Sequence, residues 1–343
     1  MKHQKIVTIM LAVALMLGLA ACGTTRDLTT AGVPGADPLM GDWQGYRIPT
    51  TGTVLPLAVQ IVPYGDDLYE ATVLESFTQR DPERFVLPLK REGDVLSTSS
   101  DPGFRATIKD GVINGSSPRG NIASFTLRRV QRLSPTLGAQ PPAGAVVLFD
   151  GKDLSAWKVA GKEERPAAWK LVDGAMEVAP NGGTIVTKRP FGDCDLHLEF
   201  RTPFMPTKRG QERGNSGVYM QGRYEIQVLD SYGLTGEDNE CGGIYKVAQP
   251  RVNMCAPPGQ WQTYDISFRA PRFDANGNKI ASATVTVRHN GVLIHQNLAI
   301  PGPTGGALDE RVSEPGGLCL QDHGNPVQYR NIWLVEPAGT NGR

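Results

Sequence analysis

Glu225 and Gln227 are separated by a single residue in the run Tyr224-Glu225-Ile226-Gln227-Val228. In an extended chain that spacing sends both polar side chains to one face and Tyr224, Ile226 and Val228 to the other. Just upstream, Asn215, Tyr219 and Gln221 share a parity, and Gly217 between them leaves backbone open to close approach. Gln221-Gly222-Arg223 joins the two runs as a tight turn, so the stretch from Arg213 to Ser231 reads as a β-hairpin whose second strand ends at Asp230. A carboxyl that can transfer a proton, flanked by amides and a phenol that exchange hydrogen bonds, suits a hydroxyl-rich ligand.

The hairpin needs a sheet to hold it. Residues 194–201 alternate Leu196, Leu198 and Phe200 with Asp195, His197, Glu199 and Arg201, which predicts a strand with one apolar face and one solvated, charged face. Further strands are predicted over 169–171, 175–178, 183–187, 261–268, 283–288, 292–296, 317–321 and 327–335. Short strands in this number, without a repeat, point to a two-sheet jelly roll spanning residues 145–337. Upstream, residues 39–133 carry alternating runs at 42–48, 57–62, 68–74, 85–89, 104–108 and 123–130, separated by turn signals. They predict a smaller β-meander or up-and-down barrel with no catalytic constellation, an accessory domain. Its Gly41-Asp42-Trp43 resembles the opening of calycin-type barrels. Between the two lies a Pro/Gly-rich linker, residues 134–144.

Composition agrees with an all-β chain: 40 Gly and 26 Pro in 343 residues favour turns. Thirty-five basic and 35 acidic residues cancel, so nothing in the charge suggests nucleic acid as a partner. At the start, Lys2, His3 and Lys5 precede an apolar run over residues 6–21 ending in Leu19-Ala20-Ala21-Cys22. That pattern resembles a bacterial lipobox, which implies a signal peptide over 1–21, lipid attachment at Cys22, a flexible tether over 22–38 and a lipoprotein of the cell envelope, outer membrane or periplasm-facing. Contact with the membrane is then through the lipid alone. In that oxidising compartment four cysteines remain, and the expected disulfide joins Cys241 to Cys255, both in a Gly/Pro-rich region that lacks its own core. Pairing of Cys194 with Cys319 is left open, and no cysteine spacing reads as a zinc site.

Four separated motifs occur in order: Phe149-Asp150-Gly151-Lys152 with Trp157, residues 214–219, residues 224–230, and Leu320-Gln321-Asp322-His323-Gly324-Asn325-Pro326 leading to Tyr329-Arg330-Asn331-Ile332-Trp333. Together they resemble the 3-keto-disaccharide hydrolase family over residues 146–336. The resemblance implies a concanavalin- or laminin-G-like sandwich and cleavage of 3-keto-disaccharides or 3-keto-glucosides. In such sugars the C3 carbonyl acidifies the C2 hydrogen, so a base can remove it and the enolate can expel the C1 oxygen, after which water adds.

On that chemistry Glu225 and His323 are the candidates for proton transfer, histidine being the side chain that ordinarily titrates near neutral pH. Arg213, Lys246 or Arg330 would stabilise the enolate, or a divalent cation such as calcium would do so in their place; no cofactor is otherwise expected. Asn215, Tyr219, Gln227, Asp230, Gln321 and Asp322 would bind and orient hydroxyls, with Asn215, Gln227, Asp230 and Asp322 also available to a metal shell. Two rivals share these residues. A conventional glycosidase would pair Glu225 with Asp230 or Asp322, and a non-catalytic carbohydrate-binding lipoprotein would use Tyr219, Trp261 and Trp333 as stacking surfaces.

Overall fold

The computed structural model describes residues 25–27, 37–81, 84–161, 163 and 165–337. The leader, Cys22 and most of the tether lie outside these residues. The first unit comprises β1 (Thr25–Asp27), β2 (Gly41–Pro49), β3 (Leu55–Gly65), β4 (Leu68–Leu74), β5 (Phe85–Glu92), β6 (Val95–Ser97), β7 (Arg105–Lys109), β8 (Val112–Ser117) and β9 (Ile122–Arg132). Strands β2 to β9 pair antiparallel in sequence order and β9 pairs back onto β2, which closes an eight-stranded up-and-down barrel; β1 extends β9 at its end. Closure removes the sheet edges. Two strands, β6 and β8, escape the alternation in the sequence because one has three residues and the other carries Asn114-Gly115-Ser116-Ser117. At Gly45 a Cβ would lie 1.9 Å from the Thr126 carbonyl oxygen, so only glycine lets β2 pass β9 there.

The second unit comprises β10 (Val146–Phe149), β11 (Trp157–Val159), β12 (Lys170–Val172), β13 (Ala175–Glu177), β14 (Ile185–Thr187), β15 (Cys194–Arg201), β16 (Ser216–Met220), β17 (Tyr224–Val228), β18 (Gln262–Arg269), β19 (Arg272–Phe273), β20 (Lys279–Ala281), β21 (Ala283–His289), β22 (Val292–Ile300), β23 (Cys319–Leu320) and β24 (Gln328–Val335). One sheet runs β12-β13-β24-β15-β18-β21-β22 with β10 also on β24, and the other runs β11-β14-β23-β16-β17. Leu198, Phe200, Tyr264 and Tyr329 from the first sheet meet Val218, Ile226 and Val228 from the second in one continuous core. The predicted sandwich and the predicted barrel are both present.

The charged face of β15 is not solvated throughout. His197 and Glu199 are buried, because the linker folds across them: Gly138 N–H donates to Glu199 Oε1 (2.5 Å) and Asn331 Nδ2 donates to the Ala139 carbonyl (2.9 Å). Opposing the desolvation of burial, hydrogen bonds from His197, Asn331, Gly138 and Arg330 hold the Glu199 carboxyl down at about 2.

Barrel and sandwich share a polar joint beside the hairpin. Buried Asp42 accepts from Tyr232 Oη (2.9 Å), Arg132 Nε (2.9 Å) and Gln60 Nε2 (3.1 Å). Thr72 Oγ1 and Arg84 Nη2 both donate to the Gly233 carbonyl, at 2.8 and 2.9 Å, and Val62 of the barrel joins the sandwich core.

The expected Cys241–Cys255 disulfide is absent: these two and Cys194 and Cys319 are free, buried thiols. The segment does have a core, since Cys241, Ile244, Val252, Met254 and Cys255 are packed into the sandwich. Within it Cys241 Sγ lies 3.3 Å from Tyr264 Oη and Cys255 Sγ 3.6 Å from the Leu229 carbonyl oxygen. Burial of apolar surface therefore orders this loop without a covalent staple.

Candidate functional site

Strands β16 and β17 pair with Tyr219 opposite Glu225 and Gly217 opposite Gln227, across the three-residue turn 221–223. Val218, Ile226 and Val228 enter the core, so Gly217, Tyr219, Glu225 and Gln227 occupy the outer face, as their parity predicts. That face is covered by loops. Gly242 N–H donates to the Gln227 carbonyl (3.0 Å), Gln227 N–H to the Gly243 carbonyl (2.9 Å) and Glu225 N–H to Thr304 Oγ1 (2.9 Å), which gives the edge strand β17 partners from residues 242–243 and 304.

On the other side, Gln321 N–H donates to the Gly217 carbonyl (3.0 Å), Ser216 Oγ to the Gln321 carbonyl (2.6 Å) and Asn215 N–H to Asn325 Oδ1 (2.8 Å). These bonds bring the motif at 320–326 against the hairpin. The loop from 301 to 316 is fastened by Arg223, whose buried guanidinium donates to Asp309 Oδ1 (2.7 Å) and the Glu314 carbonyl (2.8 Å).

What remains open is a cavity of about 250 Å³ lined by Gln211, Asn215, Tyr219, Glu225, Gln227, Tyr245, Gly305, Gly306, Gln321 and His323. Among the described residues that line it, Glu225 is the one carboxylate and none is Lys or Arg. Glu225 is 2% exposed. Burial pushes its carboxyl up to about 8, with the Tyr219 hydroxyl acting in the opposite direction. Tyr219 Oη donates to the Gly305 carbonyl (3.0 Å) and accepts from Gln321 Nε2 (3.1 Å). Burial, then the Glu225 charge, drive that phenol well above its ordinary range. Asn215 Oδ1 and Gln227 Oε1 are buried and have no partner. Exposed His323 stands at the rim.

Six of the residues expected from the sequence therefore meet in one cavity: Glu225, His323, Asn215, Tyr219, Gln227 and Gln321. The others do not line it. Arg213 Nε donates to Asp230 Oδ2 (2.6 Å), and both side chains are buried at the base of the hairpin, with Arg213 Nη2 left without a partner. Lys246 is exposed, with its Nζ 3.8 Å from Asp238 Oδ1. Asp322 shapes the loop, accepting from Gly183 N–H (3.0 Å) and Gly324 N–H (2.9 Å). Arg330 lies on the outer face of the opposite sheet, bonded to Glu199 Oε2 (2.7 Å) with its guanidinium 4.1 Å from the Trp261 ring centroid. Tyr245, Gly305 and Gly306 line the cavity from loops and Gln211 from the short 3-10 helix Gly210–Glu212, and none of these segments carries a sequence period.

The described residues hold no group of three or more His, Cys, Asp or Glu side chains placed to bind a metal. Asp150 pairs with Lys152 (2.5 Å) and Asp153 accepts from Ser155 N–H (2.8 Å), so both shape turns.

Two facing antiparallel sheets with a polar cavity on the outside of one hairpin define a two-sheet β-sandwich with a candidate site on one face. Residues 144–335, more than half of the chain, match the 3-keto-alpha-glucoside-1,2-lyase-like domain, and the chain belongs to that family. Over 104 residues it is 25% identical to the 3-keto-disaccharide hydrolase of Bacteroides thetaiotaomicron, covering 28% of this chain and 32% of that protein. The match thus spans about a third of that relative's length. The crystal structure of a Parabacteroides distasonis protein assigned as a glycosyl hydrolase is 41% identical, with a TM-score of 0.53, covering 57% of this chain and 84% of that one.

Proposed function

We propose that the sandwich cleaves the glycosidic bond of 3-keto-disaccharides or 3-keto-glucosides by elimination followed by hydration. The observation that carries this reading is the burial of a single carboxyl, Glu225, pushed up to about 8, in a cavity otherwise lined by amides, phenols, glycines and one histidine. A carboxylate with raised basicity suits removal of a proton from carbon next to a carbonyl.

Glu225 takes the C2 proton, and the electron pair forms the C2–C3 double bond as the C3 oxygen becomes an enolate; on collapse that pair moves to form the C1–C2 double bond. Collapse of the enolate breaks the C1–O bond, and the leaving oxygen takes a proton from His323 at the rim. Water then adds its oxygen to C1 of the enone, Glu225, whose proton exchanges with solvent before hydration, delivers a proton to C2, and the proton released by the water restores His323. The enolate oxygen is stabilised by a neutral donor, the second N–H of Gln321 Nε2, the first being given to Tyr219 Oη, since Arg213, Lys246 and Arg330 lie outside the cavity.

A two-carboxylate glycosidase would need a second acid across the scissile bond, and Asp230 and Asp322 are both committed to other partners. The lipobox-like leader adds that the enzyme works at the bacterial envelope, anchored through Cys22. The test is turnover of a 3-keto-glucoside beside its parent glucoside by wild type and Glu225→Gln. Cleavage of the keto sugar alone, lost in the variant, is expected; equal cleavage of both sugars would overturn the reading.

A further inference from the structure

The polarity of two amides in the cavity is set from outside it. The Asn239 carbonyl can only accept, and Gln211 Nε2 donates to it at 2.8 Å. Gln211 Oε1 must then face inward, where it accepts from Gln227 Nε2 and Asn215 Nδ2, each at 3.3 Å. Asn215 Nδ2 is held further by the Gln211 carbonyl oxygen (2.8 Å). With Asn215 Nδ2 and Gln227 Nε2 both donating to Gln211, the Asn215 and Gln227 oxygens are left over, and in this cavity they are two buried side-chain atoms without a partner.

We propose that Gln211 is a positioning residue that locks the Gln227 amide with its oxygen toward the substrate, so that Asn215 Oδ1 and Gln227 Oε1 read two hydroxyl donors of the sugar. The inference rests on the reading of this cavity as a sugar site and deepens it. Asn215 keeps its orientation through the Gln211 backbone when the Gln211 side chain changes. Gln227 does not: without Gln211 Oε1 its amide can rotate and present NH2, a donor facing a donor. Discrimination by a buried acceptor is strong because a missing hydroxyl leaves that acceptor unpaired.

The experiment measures affinity calorimetrically, without turnover, for 3-ketoglucose and its monodeoxy derivatives, using wild type, Gln211→Met, Gln211→Glu, Gln227→Met and the Gln211→Met/Gln227→Met double variant. Wild type is expected to bind at least one deoxy sugar about tenfold more weakly than the parent. Gln211→Met should weaken the parent sugar to the level of that deoxy sugar while leaving the deoxy sugar unchanged. Gln211→Glu, which keeps the inward acceptor, should retain the discrimination. The double variant should bind no more weakly than Gln227→Met, because Gln211 acts through that amide.

Equal weakening of parent and deoxy sugars by Gln211→Met, additive effects in the double variant, or no measurable binding of any of these sugars by wild type would overturn the proposal. Should wild type discriminate in binding and Gln211→Met lose that discrimination while no 3-keto-glucoside is cleaved, the catalytic reading fails and the role of Gln211 stands.

Discussion

Tyr219 and Glu225 face each other directly across the hairpin, and Gly217 leaves the space into which the Glu225 carboxyl turns. A Cβ at Gly217 would lie 2.4 Å from Glu225 Oε1 and 2.8 Å from Tyr219 Cε2. Gly217→Ala should therefore displace the carboxyl and lower kcat by about 100-fold, the scale expected when a base is misplaced by an ångström. Steady-state kinetics together with a thermal melt checks this, because a folded but slow enzyme is the expected result.

Glu225 gives the reaction its pH dependence. With its carboxyl pushed up to about 8 by burial, the base form is the minor one at neutral pH. Ionisation of Glu225 should give activity on a 3-keto-glucoside an acid limb that rises with pH, and loss of the His323 proton an alkaline limb that falls; Glu225→Gln removes the first. Stability should run the other way. A carboxyl whose pKa is raised on folding stabilises the folded state fully below its unfolded pKa, and that contribution is lost as pH rises through about 8. Calorimetry should show this contribution lowering the wild-type Tm between about pH 4.5 and pH 8 and levelling off above, and a flatter profile for Glu225→Gln.

Arg213 and Asp230 are assigned to stability. Each is buried against the other at 2.6 Å, so Asp230→Ala strands a guanidinium in the interior and should cost about 3–5 kcal/mol of folding free energy. Denaturant unfolding measures the loss. The kcat of the molecules that remain folded should change by less than about tenfold, which an enolate-stabilising arginine would not allow.

Hairpin, sandwich and barrel were legible in the sequence because period-two alternation reports which face of a strand is buried, and Glu225, Gln227 and Tyr219 inherit their placement from it. Burial from a third direction leaves no such trace. Nothing in residues 134–144 announced that the linker would cover His197 and Glu199, so their face read as solvated. Arg213 and Asp230 read as free site groups for the same reason: the ion pair forms between two residues that the hairpin brings together at its open end. Gln211 was missed because it acts from a single 3-10 turn, Gly210–Glu212, through hydrogen bonds, which have no sequence period.

Asp42 links the two units and offers a check on that joint. It accepts from Tyr232 in the segment following β17 and from Arg132 at the end of the barrel. Asp42→Ala should lower stability by about 3 kcal/mol, the range for removing one partner of a buried charged network. It should also raise KM, since residues 229–236 leave the hairpin directly. A drop in Tm with an unchanged KM would show that the barrel does not support the site.

The most direct test of the central claim is the fate of the C2 hydrogen. The protein is incubated in heavy water with a 3-keto-glucoside, and in parallel with the parent glucoside, and products are followed by mass and by NMR at C2. Removal and return of the proton through Glu225 predicts cleavage of the keto sugar with deuterium at C2, no reaction of the parent, and loss of both cleavage and label in Glu225→Gln. Cleavage of the keto sugar with hydrogen fully retained at C2 would contradict the account.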